Sequence, residues 1–149
     1  MKWFIIDKLL TFISCSMSYN LFLDDKRNPS DIWNHIKSPE YAVYNWVIVK
    51  DYNSFVQTIQ DNGIPVRISF DHNLSDEHII RQNKTKINYS SYKDKTGYDC
   101  AVWLIEYCLD YEISLPKYKI HAEEGLGKQN IENLLESFDK YQKSINKKK

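Results

Sequence analysis

"ISFDHNLSD", residues 68–76, sets an acid, an imidazole and an amide at the end of an apolar run. Val66, Ile68 and Phe70 read as one buried strand, and Asp71, His72 and Asn73 follow it directly. The same pattern recurs on either side. "YNLFLDD" (19–25) is a short apolar run that closes on Asp24 and Asp25. "YKIHAEE" (118–124) is another, carrying His121. A fourth strand is expected at Trp46 to Val49 inside "YAVYNWVIVKD".

Helical patterns separate these runs. In 51–63, Asp51 can cap a helix, Tyr52, Phe55, Val56 and Ile59 form an apolar stripe, and Gly63 ends it. "TGYDCAVWLIEYCLDYE" (96–112) opens with Thr96 and Asp99 at capping-box spacing. Residues 127–145 keep Ile131, Leu134, Leu135, Phe138 and Tyr141 in helical register. Residues 26–40, punctuated by Pro29 and Pro39, read as a loop with room for one helical turn, and 75–95 as a long polar loop. Strand–helix alternation predicts an α/β sandwich with a mostly parallel sheet and right-handed crossovers.

Ligands of open parallel sheets bind beyond the carboxyl ends of the strands. Asp24, Asp25, Asp71, His72 and His121 therefore converge on one edge. Carboxylates crowded together repel unless a cation sits among them, and hard oxygen ligands suit Mg²⁺ or Mn²⁺. Two imidazoles can serve as an acid and a base. Metal plus imidazoles suits phosphate ester chemistry. His35 and His78 fall in predicted loops and are expected at the surface.

Composition narrows the classes. The 149 residues suit one domain, and 20 basic against 20 acidic residues give a net charge of +0. General DNA binding is not expected of so neutral a chain. Cys100 and Cys108 sit on one predicted helix, about 12 Å apart along its axis, too far for a disulfide. With Cys15 they read as reduced thiols of a cytoplasmic protein. The first 18 residues are apolar but interrupted by Asp7 and Lys8, so neither a membrane span nor a signal peptide fits well. A dispensable extension before Met17, a packed native segment and a targeting element all stay open. The expected division is 1–18 extension, 19–145 domain and 146–149 basic tail.

Four blocks, "LFLDDKRNP" (21–29), "SFDHNL" (69–74), "TGYDCAVWLIE" (96–106) and "LPKYKIHAEEGLGKQNI" (115–131), resemble the cyclic-phosphate processing receiver-like domain family, a derivative of the response-regulator receiver fold found in bacteria, phages and large viruses. The resemblance covers about residues 19–138. It implies a receiver/flavodoxin-like three-layer sandwich with about four to five strands. It implies a metal-dependent phosphoesterase acting on a cyclic phosphate of a nucleotide or RNA end, in RNA repair or nucleotide signalling.

By position, Asp24 and Asp25 match the metal-holding acidic pair and Asp71 the phosphoacceptor of receivers. His72 and His121 match the histidines that set the family apart, and would share catalysis with Asp71. Arg27, Asn73, Thr96 and Gly97 fall where substrate contacts are expected. The chain departs from the family at Asn73, where an acid is usual. It departs again at Ala122 to Gly125, where Ser and then Asn-Pro are usual. Two alternatives are a non-catalytic cyclic-nucleotide-binding module and a receiver phosphorylated on Asp71. The nucleobase and the oligomeric state are not readable.

Overall fold

The computed structural model describes residues 18–80 and 85–147. Four strands, β1 (Asn20–Leu23), β2 (Trp46–Val49), β3 (Arg67–Phe70) and β4 (Lys117–Ile120), form one sheet in the order β2-β1-β3-β4. Every pairing is parallel, with Leu23 opposite Val49 and Phe70, and Phe70 opposite Ile120. This is the flavodoxin-like order, whose topological switch lies between β1 and β3.

The helices are α1 (Pro29–Ile36), α2 (Glu40–Val43), α3 (Tyr52–Asn62), α4 (Asp76–Ile80), α5 (Gly97–Asp110) and α6 (Leu126–Asn146), with a 3₁₀ turn at Tyr89–Ser91. The chain leaves β1 in one direction to reach β2 and in the other to reach β3 and β4. Right-handed crossovers therefore put α1 and α2 on one face and α3 and α5 on the opposite face. The cores follow this division. On the first face Phe22 packs with Ile32 and Tyr41. On the second, Leu21, Leu23, Ile68 and Phe70 meet Phe55 and Ile59 of α3, Leu104 of α5, and Ile131 and Leu135 of α6. Each fully buried Leu, Ile or Phe contributes about 1.5–3 kcal/mol.

The expected helix caps are present. Asp51 accepts the Ser54 amide at 2.8 Å, Thr96 pairs reciprocally with Asp99, and Gly63 closes α3 at φ 79°. Two expected loops are more ordered than their sequence suggests. In 26–40, Pro29 is not a breaker but the first residue of α1. Its missing N–H costs nothing there, and the Asn28 amide is bonded by the Asp31 carboxylate at 2.7 Å. In 75–95, α4 and the 3₁₀ turn interrupt the polar run.

His78 corrects a second expectation, because it is buried rather than at the surface. Its Nδ1 accepts the Leu74 amide at 2.9 Å and its Nε2 donates to the Asp94 carbonyl at 2.9 Å. The ring supplies the partners that the apolar periodicity of the segment could not. His35 is exposed, but on α1 rather than in a loop.

Cys100 and Cys108 are buried free thiols, and burial pushes the Cys108 thiol up to about 11. Cys15, Met17 and all of the expected extension except Ser18 lie outside the described residues, as do the last two residues of the tail. Among the described residues no helix is long and apolar enough to cross a membrane.

Candidate functional site

Each strand ends where its apolar run ends, and the parallel ladder continues one residue further. The Asp24 amide bonds the Val49 carbonyl at 3.1 Å, the Asp71 amide Leu23 at 2.9 Å and the His121 amide Phe70 at 2.9 Å. Asp24, Asp71 and His121 thus stand side by side across three strands. Their side chains project to the face of Phe22 and Tyr41. Asp25 completes the group: one carboxylate oxygen from each of Asp24, Asp25 and Asp71 lies within 4.8 Å of the others.

Arg27 spans the acids. Its Nε donates to Asp24 Oδ2 at 2.8 Å and its Nη2 to Asp71 Oδ1 at 3.1 Å. The other Asp24 oxygen accepts the backbone amides of Lys26 and Arg27 at 2.9 and 2.8 Å. His121 Nε2 lies 3.1 Å from Asp24 Oδ2, its Nδ1 2.7 Å from Ser69 Oγ, and Ser69 Oγ 2.7 Å from the Tyr41 hydroxyl. One proton arrangement satisfies all three contacts. Tyr41 donates to Ser69, Ser69 to Nδ1, and Nε2–H to the carboxylate. The His121 ring stacks on Phe22 at 4.5 Å and its side chain is 0% exposed.

The acids are driven apart in proton affinity. Burial alone would raise Asp24, but the His121 bond, the two backbone amides and the Arg27 charge hold it down at about 2. Burial, and then repulsion from Asp24, push Asp71 up to about 7 against the opposing Arg27 charge. Burial and Asp24 also raise Asp25.

His72 takes the opposite direction. Successive strand residues alternate faces, so the residue after Asp71 points toward α6. Its Nδ1 lies 2.8 Å from Asn73 Oδ1 and its Nε2 3.2 Å from the Tyr89 hydroxyl, which accepts Asn130 Nδ2 at 2.9 Å. The ring lies so close to α6 that a Cβ on Gly127 would come within 2.5 Å of it. Burial lowers the imidazole below its ordinary value. The two expected histidines therefore share an edge of the sheet but not a face, and they have no common hydrogen-bond partner.

Thr96 and Gly97 build the wall behind Asp71. Thr96 is fully buried and bonds Asp99, and the Gly97 amide donates to the His72 carbonyl at 2.9 Å. A Cβ at Gly97 would sit 1.8 Å from the Asp71 carbonyl oxygen, so only glycine fits. Asn73 is spent on His72. Ser69, Tyr41, Tyr89 and Asn130 were not foreseen. Ser69 had a signal, as a hydroxyl two residues before Asp71 on the same face of the strand. Tyr89 and Asn130 had none, because they reach the site only through tertiary structure.

No curated protein and no solved structure matches the chain. The match is at the level of the family. The acidic pair after β1, the acid after β3 and the histidine after β4 stand on a sheet of receiver order, and residues 19–137 match the cyclic-phosphate processing receiver domain, so the chain belongs to that family.

Proposed function

We propose that the chain is a metal-dependent phosphoesterase that opens a cyclic phosphate on a nucleotide or RNA end. The observation that carries this reading is the convergence of Asp24, Asp25 and Asp71 within 4.8 Å at the switch point. The donor set fits a hard divalent cation, Mg²⁺ or Mn²⁺. It is all oxygen, and three carboxylates converge there against the single guanidinium of Arg27. Asp24, Asp25 and Asp71 would hold the ion, which when bound neutralises charge and polarises a phosphoryl oxygen.

The chain's own residues supply the rest. Asp24 stays ionised across the physiological range, oriented by the His121–Ser69–Tyr41 string. Arg27, 31% exposed, presents its guanidinium at the mouth of the site, where its N–H groups can donate to a non-bridging phosphate oxygen. Ring opening needs one proton taken from the attacking oxygen and one given to the leaving oxygen. Asp71 exchanges a proton near neutrality in the metal-free protein but would give it up to hold the ion, so the protons of ring opening would pass to and from solvent water at the mouth of the site. His121 holds its proton on Nε2 toward Asp24 and acts as a positioning residue. His72 holds its proton on Nδ1 toward Asn73 and accepts the Tyr89 hydroxyl at Nε2, and so acts as a positioning residue on the other face.

The test is incubation of the full chain with 2′,3′-cyclic nucleotides and cyclic dinucleotides, with and without Mg²⁺. Mg²⁺-dependent ring opening, lost in Asp71→Asn, is the expected result. A ligand bound but recovered intact would make the domain a binding module. A stable acyl phosphate on Asp71 after exposure to a small phosphodonor would make it a signalling receiver.

A further inference from the structure

A cleft of about 660 Å³ opens on the His72 face of the sheet, between residues 85–89, the start of α5 and the first turns of α6. That volume lies within the usual range of small-molecule pockets. We propose that this cleft seats the nucleobase of the ligand, between the Tyr89 and Tyr98 rings and the amides of Asn130 and Asn133. The choice of a base as occupant rests on the phosphoesterase reading above. The location rests on the cleft itself.

The walls have the chemistry a base requires. Tyr89 and Tyr98 are parallel, with centroids 4.3 Å apart and planes 12° apart, and together they form a rigid flat surface. Leu126 and Leu134 of α6 supply apolar contact. Asn130 spends its Nδ2 on Tyr89, which leaves its Oδ1 without a partner among the described residues. The side-chain amide of Asn133, one helical turn on, likewise has no hydrogen-bond partner among the described residues. A free amide oxygen and a complete amide one turn apart offer acceptors and donors to the edge of a planar base. A continuous apolar groove, suited to a helix or an acyl chain, would not carry them.

The cleft also communicates with the acids. The Asn130 amide donates to the Tyr89 hydroxyl, which donates to His72 Nε2, and His72 follows Asp71 in the chain. Tyr89 is well suited to the middle position. Burial pushes its hydroxyl up to about 12 against the Asn130 bond, so it stays protonated and donating. A nucleotide with its base in the cleft would have to reach over the strand ends to bring its phosphate to Asp71, on the opposite face.

The decisive measurement uses phosphate-free nucleosides. Adenosine, guanosine, cytidine and uridine are titrated into the full chain while the side-chain amide signals of Asn130 and Asn133 are followed by NMR. At least one nucleoside should saturate and shift both signals. Leu134→Trp, which fills the cleft, should weaken binding by about tenfold or more. Asn133→Ala, on an exposed residue without a side-chain hydrogen bond among the described residues, should weaken it by roughly threefold even if the tryptophan variant folds poorly. The Mg²⁺ affinity of both variants should match that of the parent.

Failure of every nucleoside to saturate by about 10 mM, or shifts confined to other residues, would overturn the proposal. Nucleoside binding at the cleft without ring opening of any cyclic phosphate would keep the cleft and sink the phosphoesterase reading. Equal processing of a base-free cyclic phosphate and a cyclic nucleotide would do the reverse. A short RNA with a 2′,3′-cyclic end and the corresponding mononucleotide present the same base. Tighter binding of the RNA would point to an RNA end as the source, and equal binding to a free nucleotide. Either result supports the pocket.

Discussion

On one face of the strand ends, three carboxylates, a guanidinium and a buried imidazole are held by charge. On the other, a neutral imidazole, a phenol and an amide are held by a one-way string of hydrogen bonds. Asp71 and His72 are consecutive residues, yet each belongs to a different assembly. The difference comes from the alternation of strand residues, which lets one chain segment serve two chemistries. The charged face is matched to a cation and a phosphate. The other face, with Lys86 as the charged residue of its cleft, is matched to a planar group.

If the two faces are separate devices, substitutions on one should leave the other's readout alone. The largest effect is expected at the acids. Asp24→Asn and Asp71→Asn should each abolish Mg²⁺-dependent thermal stabilisation, but move the metal-free melting temperature in opposite directions at pH 8. Asp24 is held below its ordinary value, so its charge stabilises the fold at any pH above that value. Its loss should cost about 2 kcal/mol, or roughly 4–8 °C. Asp71 is raised to about 7, so its charge costs stability that is lost as pH rises through 7. Asp71→Asn should regain up to about 4 kcal/mol, with the Arg27 attraction already counted in that figure. Melts with and without Mg²⁺ read both. Equal signs would mean that the acids do not repel as described.

The next effect separates the histidines. His121→Ala removes the group that orients Asp24 and should weaken Mg²⁺ binding by about 10–100-fold. His72→Ala should leave it within about twofold, because its side-chain partners, Asn73 and Tyr89, touch no acid and the backbone amide that it gives to Asp71 Oδ1 at 2.8 Å survives the substitution. Calorimetry on both variants decides. A large loss in His72→Ala would merge the two faces into one site. The smallest effect is in pH. The metal must displace the Asp71 proton, so Mg²⁺ affinity should fall by up to about tenfold per unit as pH drops below 7. A flat profile from pH 8 to 6 would remove Asp71 from the ligand set.

The acids and the sheet were legible because local signals and tertiary structure agree there. An apolar run that stops on Asp71 marks both a strand end and a site, and alternation with capped helices implies the layers. The faces were only half legible. Alternation within β3 already separates Asp71 from His72, but which of them His121 joins depends on the register of β4 against β3, and no residue of β4 states that register. Likewise Pro29 reads as a breaker or a helix start according to whether Asn28 caps, and His78 reads as surface unless Leu74 and Asp94 are known to meet over it. For His121 and His78 the missing information was a contact between residues distant in the chain, whereas for Pro29 it was the local Asn28–Asp31 cap.

Gly97 and His78 have one more consequence. The Gly97 amide on the His72 carbonyl ties the two ends of the long excursion between β3 and α5, and the His78 ring bonds Leu74 and Asp94 just outside that tie. The excursion is thus a lobe with a double-stitched neck. The entropy of closing it depends only weakly on how many residues the lobe contains. Material can be added to the lobe or removed from it without loosening the neck, which leaves the ligand-facing wall free to be remodelled while the acids keep their places.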